Sequence, residues 1–174
     1  MPKITILLGL LLMCFAIFSC NRVKPNEAES ARIRVRLAAI PLDQKVQFTN
    51  DEWKYILTGR QYYVLRRRGT ELPFANAYWH THEKGIYFCA ACGNRLFSSD
   101  AKYDSGTGWP SFWQPIGGDA VSAASHSSFG GGNEITCARC GSHLGHVFDD
   151  GPKPTGLRYC MNSAALKSVK AGGN

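Results

Sequence analysis

No apolar run in this sequence is long enough to cross a bilayer as a helix. The longest, residues 4–19 (ITILLGLLLMCFAIFS), has sixteen residues, and a spanning helix needs about 20. With only Lys3 ahead of it, the run has the form of a secretory signal rather than a membrane span. Low-complexity segments are absent, and no repeat exists beyond two short CxxC units, which excludes solenoid arrays. Acidic residues are few, 13 against 20 Lys and Arg, for a formal charge of +7. That balance suggests nucleic acid. However, neither basic cluster (Arg32/Arg34/Arg36 or Arg66-Arg67-Arg68) is interleaved with the exposed aromatics of a single-strand binder. A solvated or membrane-proximal basic face is the expectation, with no nucleic-acid partner.

The apolar run stops at Ile17-Phe18-Ser19-Cys20-Asn21. This resembles the lipobox of bacterial lipoproteins, although Phe18 is bulky for its position. The resemblance implies cleavage before Cys20 and a diacylglycerol on its thiol. One acyl chain binds membranes only marginally, so a further chain is implied. Three regions are expected: a signal at 1–19, a tether at 20–45, and one domain at 46–174. The protein would then be exported and lipid-anchored to a bacterial membrane, on the periplasmic or cell-surface side. Within the tether, RIRVRLA alternates and suits at most one short strand.

Inside the domain, Thr49-Asn50-Asp51-Glu52 ahead of Trp53 reads as a capped helix start. A second helical segment carries Tyr62, Leu65 and the arginines, with Gly69 as its stop. Helical periodicity then disappears. Short strands are expected at Gly85–Cys89, Arg95–Ser98, Ser111–Gln114, Glu134–Thr136, His146–Asp149 and Gly156–Asn162, separated by Gly- and Asn-rich turns. The fold class is therefore mainly β (α+β), an antiparallel β domain preceded by short helices.

Cysteine is plentiful, with seven residues. Cys14 lies within the signal and Cys20 at its end. Cys89-Ala-Ala-Cys92 and Cys137-Ala-Arg-Cys140 are two CxxC pairs, a spacing that suits four-thiolate coordination of one Zn²⁺. Two disulfides, a redox dithiol and rubredoxin-like iron are the alternatives. Four protein ligands would close the site and make it structural. The residues between the pairs, 93–136, are too many for one small finger, so the ion would pin two distant hairpins together. Counting four thiolates and one Zn²⁺, and leaving out Lys3, brings the charge to roughly +4.

Cys160 remains, in Arg158-Tyr159-Cys160-Met161-Asn162. On a strand, Arg158, Cys160 and Asn162 share a face. The guanidinium favours a thiolate and the amide offers hydrogen bonds. A buried core cysteine is the plain alternative. His143 and His146 follow the second CxxC pair and suit proton transfer and orientation, with Asp150 nearby. Trp109, fixed by Pro110, suits a pocket wall.

Four segments, CAAC, SGTGWPSFW, CARCGSHLGHVFDDGP and TGLRYCMNSAAL, together resemble the B-type methionine sulfoxide reductases, in order from about Trp53 to Leu166. The resemblance implies two antiparallel β-sheets with short N-terminal helices, stapled by a four-cysteine zinc site. It implies reduction of methionine-R-sulfoxide in oxidised proteins, with Cys160, His143, His146 and Asn162 catalytic and Trp109, Arg158 and Asp150 on the substrate. Many members carry a resolving cysteine where this sequence has Thr107. The expectation is therefore no internal disulfide, and reduction of a Cys160 sulfenic acid by a thioredoxin-like dithiol. A monomer is expected. A non-catalytic zinc-ribbon binding module is the competing class.

Overall fold

The computed structural model describes residues 27–127 and 132–172. The signal-like run and Cys20 lie outside them. Three short helices precede nine strands: α1 (Glu27–Ala39), α2 (Asn50–Ile56), α3 (Gly59–Arg67), β1 (Gly85–Cys89), β2 (Arg95–Ser98), β3 (Lys102–Tyr103), β4 (Ser111–Phe112), β5 (Val121–Ser127), β6 (Asn133–Cys137), β7 (His143–Phe148), β8 (Arg158–Met161) and β9 (Leu166–Lys170). The strands form two sheets, ordered β2-β1-β9 and β3-β4-β8-β7-β6-β5, and neighbours pair antiparallel.

Local chemistry explains the helix ends. Thr49 and Glu52 form a capping box on α2, and Thr58 and Gln61 repeat it on α3. Each box satisfies amide hydrogens that a helix start leaves unpaired. The stop of α3 falls one residue earlier than expected: Arg68, not Gly69, takes the left-handed conformation, with φ 55°. Its guanidinium reaches Glu134, Nε to Oε1 at 3.0 Å.

The tether reading fails from residue 27 onward, because α1 is folded onto the domain. Ile33 is fully buried in the same apolar cluster as Trp53, Tyr87, Phe97 and Leu144, and Leu37 and Ile40 pack against it. Residues 33, 37 and 40 are an i, i+4, i+7 stripe, the apolar face of a helix. Arginines interleaved with Val35 mask that stripe as alternation. Those arginines are not a free basic face either. Arg34 donates to the Ile56 carbonyl at 2.9 Å, capping α2, and Arg36 pairs with Glu52 while lying over the Phe48 ring.

After α1, residues 40–46 clasp the second CxxC turn. Buried Arg139 donates to the carbonyls of Cys92, Ile40, Pro41 and Gln44, and the Val46 N–H donates to the Arg139 carbonyl at 2.8 Å. A buried guanidinium without a carboxylate is costly. The four carbonyls that Arg139 reaches offset part of that cost.

Strands β3, β5 and β9 were not anticipated, and the expected strands 111–114 and 156–162 are shorter at one or both ends. Because Ile33 fills core space, Ile33→Ala should lower unfolding free energy by about 2–4 kcal/mol in chemical denaturation. A true tether would leave it unchanged.

Candidate active site

The two CxxC turns meet. Cys89 closes β1 in the small sheet and Cys137 closes β6 in the large one. Their partners Cys92 and Cys140 follow a turn later, with Gly93 N–H donating to Cys89 O and Gly141 N–H to Cys137 O. All four thiols are buried, and their sulfurs lie within 4.8 Å of one another. Cys89–Cys140 and Cys92–Cys137 Sγ separations are 3.8 and 3.6 Å. Tetrahedral ligands at about 2.3 Å from an ion stand about 3.8 Å apart, so the four donors fit one metal ion. They are too far apart for S–S bonds. Crowded together, the thiols hold one another's protons unevenly: Cys89 and Cys92 are pushed up while Cys137 and Cys140 are drawn down, through mutual sulfur hydrogen bonds. A cation in their midst lets all four ionise.

Cys160 lies in β8, separated from β6 by β7 in the large sheet. Opposite it stand Ser111 on β4 and His146 on β7. Cross-strand partners share a face, and Cys160 and His146 both line a cavity of about 150 Å³. Trp109, Phe148, Asn162, Met161, Gly145 and Thr70 complete its wall. Gly145 is required by close approach. A Cβ there would sit 2.2 Å from the Cys160 carbonyl oxygen, so any side chain would force β8 away. Trp109 is locked by its indole N–H, which donates to Glu71 O at 3.0 Å.

The other anticipated residues fall around this cavity in different ways. Asn162 is buried, accepting from Glu71 N–H at 2.9 Å and donating to Leu144 O at 3.2 Å. Its amide thus ties two segments to the end of β8 and is not held for the thiol. Arg158 and Asp150 are absent from the cavity wall. They form a bidentate pair, both contacts 2.8 Å, and the guanidinium stacks 4.2 Å from the Phe148 ring centre. His143 also stays off the wall. A bulge accounts for its placing: Ile135 pairs with Gly145 but Thr136 pairs with His143, leaving Leu144 extra. Spaced by three, the two histidines would face opposite sides of a regular strand. The bulge turns both to one face, with rings 5.4 Å apart edge to face.

Glu134 was missed, since an acid three residues before a ligand cysteine carries no signal of its own. Opposite His146 in register, its Oε1 meets His143 Nδ1 at 2.8 Å. A carboxylate only accepts, so Nδ1 bears the proton, and Nε2 is buried without a partner. Burial keeps His143 below its ordinary pKa despite Glu134. Burial, then His143, does the same to His146, so both are neutral near pH 7.

The thiol differs from expectation. Burial pushes the Cys160 pKa up, and the opposing pull of Arg158 and Thr107 does not cancel it. Cys160 therefore rests as a thiol rather than a thiolate preformed by Arg158. Thr107 stands with Oγ1 4.0 Å from Cys160 Sγ, at the end of a hydroxyl chain through Ser105 to Ser111. Neither serine was anticipated. Phe112, beside Ser111, is core, fully buried and stacked on Phe97.

A half-buried thiol facing a neutral imidazole in a small aromatic-walled cavity is suited to thiol-based redox chemistry. The model of the SelR domain matches residues 57–170. The chain belongs to the SelR family, the MsrB-type peptide methionine sulfoxide reductases. Among SelR relatives, the protein named peptide methionine sulfoxide reductase MsrB from Methanosarcina mazei is 54% identical over 127 residues, covering 72% of this chain and 91% of its own. The one of that name from Leptospira interrogans is 53% identical over 130 residues, covering 74% and 99%. A chloroplastic relative from Oryza sativa, peptide methionine sulfoxide reductase B1, is 53% identical over 123 residues, covering 70% and 58%.

Removing the guanidinium leaves Thr107 as the remaining group that opposes burial at the thiol. Arg158→Met should therefore raise the pH midpoint of Cys160 alkylation by iodoacetamide. An unchanged midpoint would show that Arg158 does not act on the thiol.

Proposed function

We propose that this chain reduces methionine-R-sulfoxide in polypeptides to methionine, with Cys160 as the nucleophile. The observation that carries this reading is Cys160 facing His146 directly across the β7–β8 pair, inside the cavity closed by Trp109. The choice of the R epimer follows from the family. A sulfoxide sulfur is attacked only once its oxygen is hydrogen-bonded or protonated. A thiol beside a neutral imidazole holds the one proton that is needed. As Cys160 sulfur attacks, its proton passes to His146 and on to the sulfoxide oxygen. In the adduct so formed the hydroxyl shifts to the Cys160 sulfur as the substrate S–O bond and the new S–S bond break, leaving Cys160 as sulfenic acid and releasing methionine. Trp109 packs against the substrate methyl group. Asn162 and His143 act as positioning groups, the first on β8 and the second on His146, while Arg158, held by Asp150, favours charge on sulfur.

The next half-reaction needs an external dithiol of thioredoxin type. It reduces the sulfenic acid to thiol and water while becoming a disulfide. Thr107 supplies a hydroxyl where a resolving thiol would stand. The metal is taken as Zn²⁺, which suits four thiolates without redox chemistry of its own. With no open position it holds the ends of β1 and β6 and takes no part in turnover. A zinc-ribbon binding module is not favoured, because it leaves the Cys160 cavity without a use.

We take Cys20 as the lipidated residue, on the lipobox-like sequence alone, which would hold a monomeric domain at a bacterial membrane on its exported side. If so, the mature protein should have lost residues 1–19 and carry acyl mass on Cys20, and a chain retaining Met1 would exclude it.

Cys160→Ser should abolish R-sulfoxide reduction while keeping one Zn²⁺ per chain by elemental analysis. In a single turnover without reductant, mass spectrometry should find a dimedone-trapped sulfenic acid on Cys160. A disulfide joining Cys160 to another cysteine of the chain would overturn the direct-reduction scheme.

A further inference from the structure

Beside the catalytic cavity lies a second one, about 220 Å³, lined by Arg60, Tyr63, Val64, Thr70, Leu72 and their neighbours. Thr70 belongs to both walls, so the two cavities adjoin at that residue. The surface around the second is apolar and unusually bare: Tyr63 is 55% exposed, Leu72 73% and Phe74 56%. Its shape is fixed. Glu71 accepts the Trp109 indole N–H on its carbonyl, accepts Ala164 N–H on its carboxylate, and donates its own N–H to Asn162. Asn76 donates to the carbonyls of both Leu72 and Gly108. Phe74 N–H donates to Gly108 O at 2.9 Å.

Phe74 adopts φ 59°, a conformation that a bulky side chain rarely takes. Its ring lies so close over Gly108, the residue before Trp109, that a Cβ there would meet it at 2.8 Å. The ring then packs edge-on to Trp79. A strained backbone held by this many hydrogen bonds, presenting apolar side chains to water at the mouth of a reactive cavity, marks a contact surface.

We propose that the groove of Tyr63, Thr70 and Leu72 receives a large apolar side chain of the substrate polypeptide, close in sequence to the oxidised methionine. This rests on the reading of Cys160 as a sulfoxide-reducing nucleophile. The catalytic cavity, about 150 Å³, admits little more than the sulfoxide side chain, so the polypeptide carrying it must leave across the rim, and Thr70 is the residue that this wall shares with the groove. Methionine is a core residue, so a segment that exposes an oxidised one tends to expose apolar neighbours as well. Arg60 and Glu71, of opposite sign, flank the groove without giving it a charge preference.

The test compares three substrates on the full chain. They are N-acetylmethionine-R-sulfoxide amide, a peptide with the R-sulfoxide between glycines, and the same peptide with leucine placed within two residues on either side. The leucine peptide should show about tenfold higher kcat/KM than the glycine peptide, mostly through KM, the scale of one modest apolar contact. Leu72→Ser and Tyr63→Ser, both on exposed side chains, should each shrink that ratio toward one. Equal rates for the two peptides, or a preference surviving both substitutions, would overturn the proposal. So would a preference that persists while Leu72→Ser changes the sedimentation of the protein, since the groove would then join two copies of the chain. Failure to reduce even the small amide would remove the reductase reading itself, and the role of the groove with it.

Discussion

Four buried thiols hold together what the backbone hydrogen bonds leave separate. The three-stranded sheet ends in Cys89 and the six-stranded sheet carries Cys137 at the end of β6, and no strand pairing joins the two sheets among the described residues. A metal ion held by them would convert two hairpins distant in sequence into one fixed corner, and closing a long loop in this way removes much of the freedom of the unfolded chain. The N-terminal helix depends on the same corner. Arg139, inside the second CxxC turn, binds the carbonyls of residues 40, 41 and 44, so α1 is anchored to the metal site as well as to the core.

From that corner β6 and β7 run away side by side, and the bulge at Leu144 sets the chemistry. It brings Glu134, His143 and His146 to one face of the sheet, and β8 then adds Cys160 to that face. The four-cysteine corner, which joins the two sheets at β1 and β6, and the nucleophile on β8 are thus separate parts of the fold. One supplies rigidity. The other sits in a cavity where burial raises the thiol and lowers the imidazole, so that the proton stays within the pair.

Much of this was legible in the sequence because the signals are local. The capped helix start at Thr49 needs only a hydroxyl and a polar residue three positions on. The strands Gly85–Cys89 and Arg95–Ser98 have the bounds read from alternation and turn residues. The CxxC spacing specifies a pair of sulfurs within one turn. The helix at 27–39 was missed because its apolar stripe is three residues long, and a helix with so little apolar surface is stable only against a partner. The serines behind Thr107, and Glu134 behind His143, were missed because each acts on a residue from another strand or loop.

By itself the sequence determined which residues can do chemistry: four thiols paired by spacing, one thiol left over, two histidines, and a tryptophan made rigid by proline. Residue type and short-range spacing suffice for that, since thiol reactivity and metal affinity begin as properties of side chains. Only the tertiary structure decided which of them meet and in what charge state. A one-residue bulge reverses the face of every side chain beyond it, and burial outweighs a neighbouring guanidinium at Cys160. Both depend on what the rest of the chain packs against those strands. Arg158 next to Cys160 in a strand pattern promised a thiolate; the folded protein holds a thiol with its base opposite.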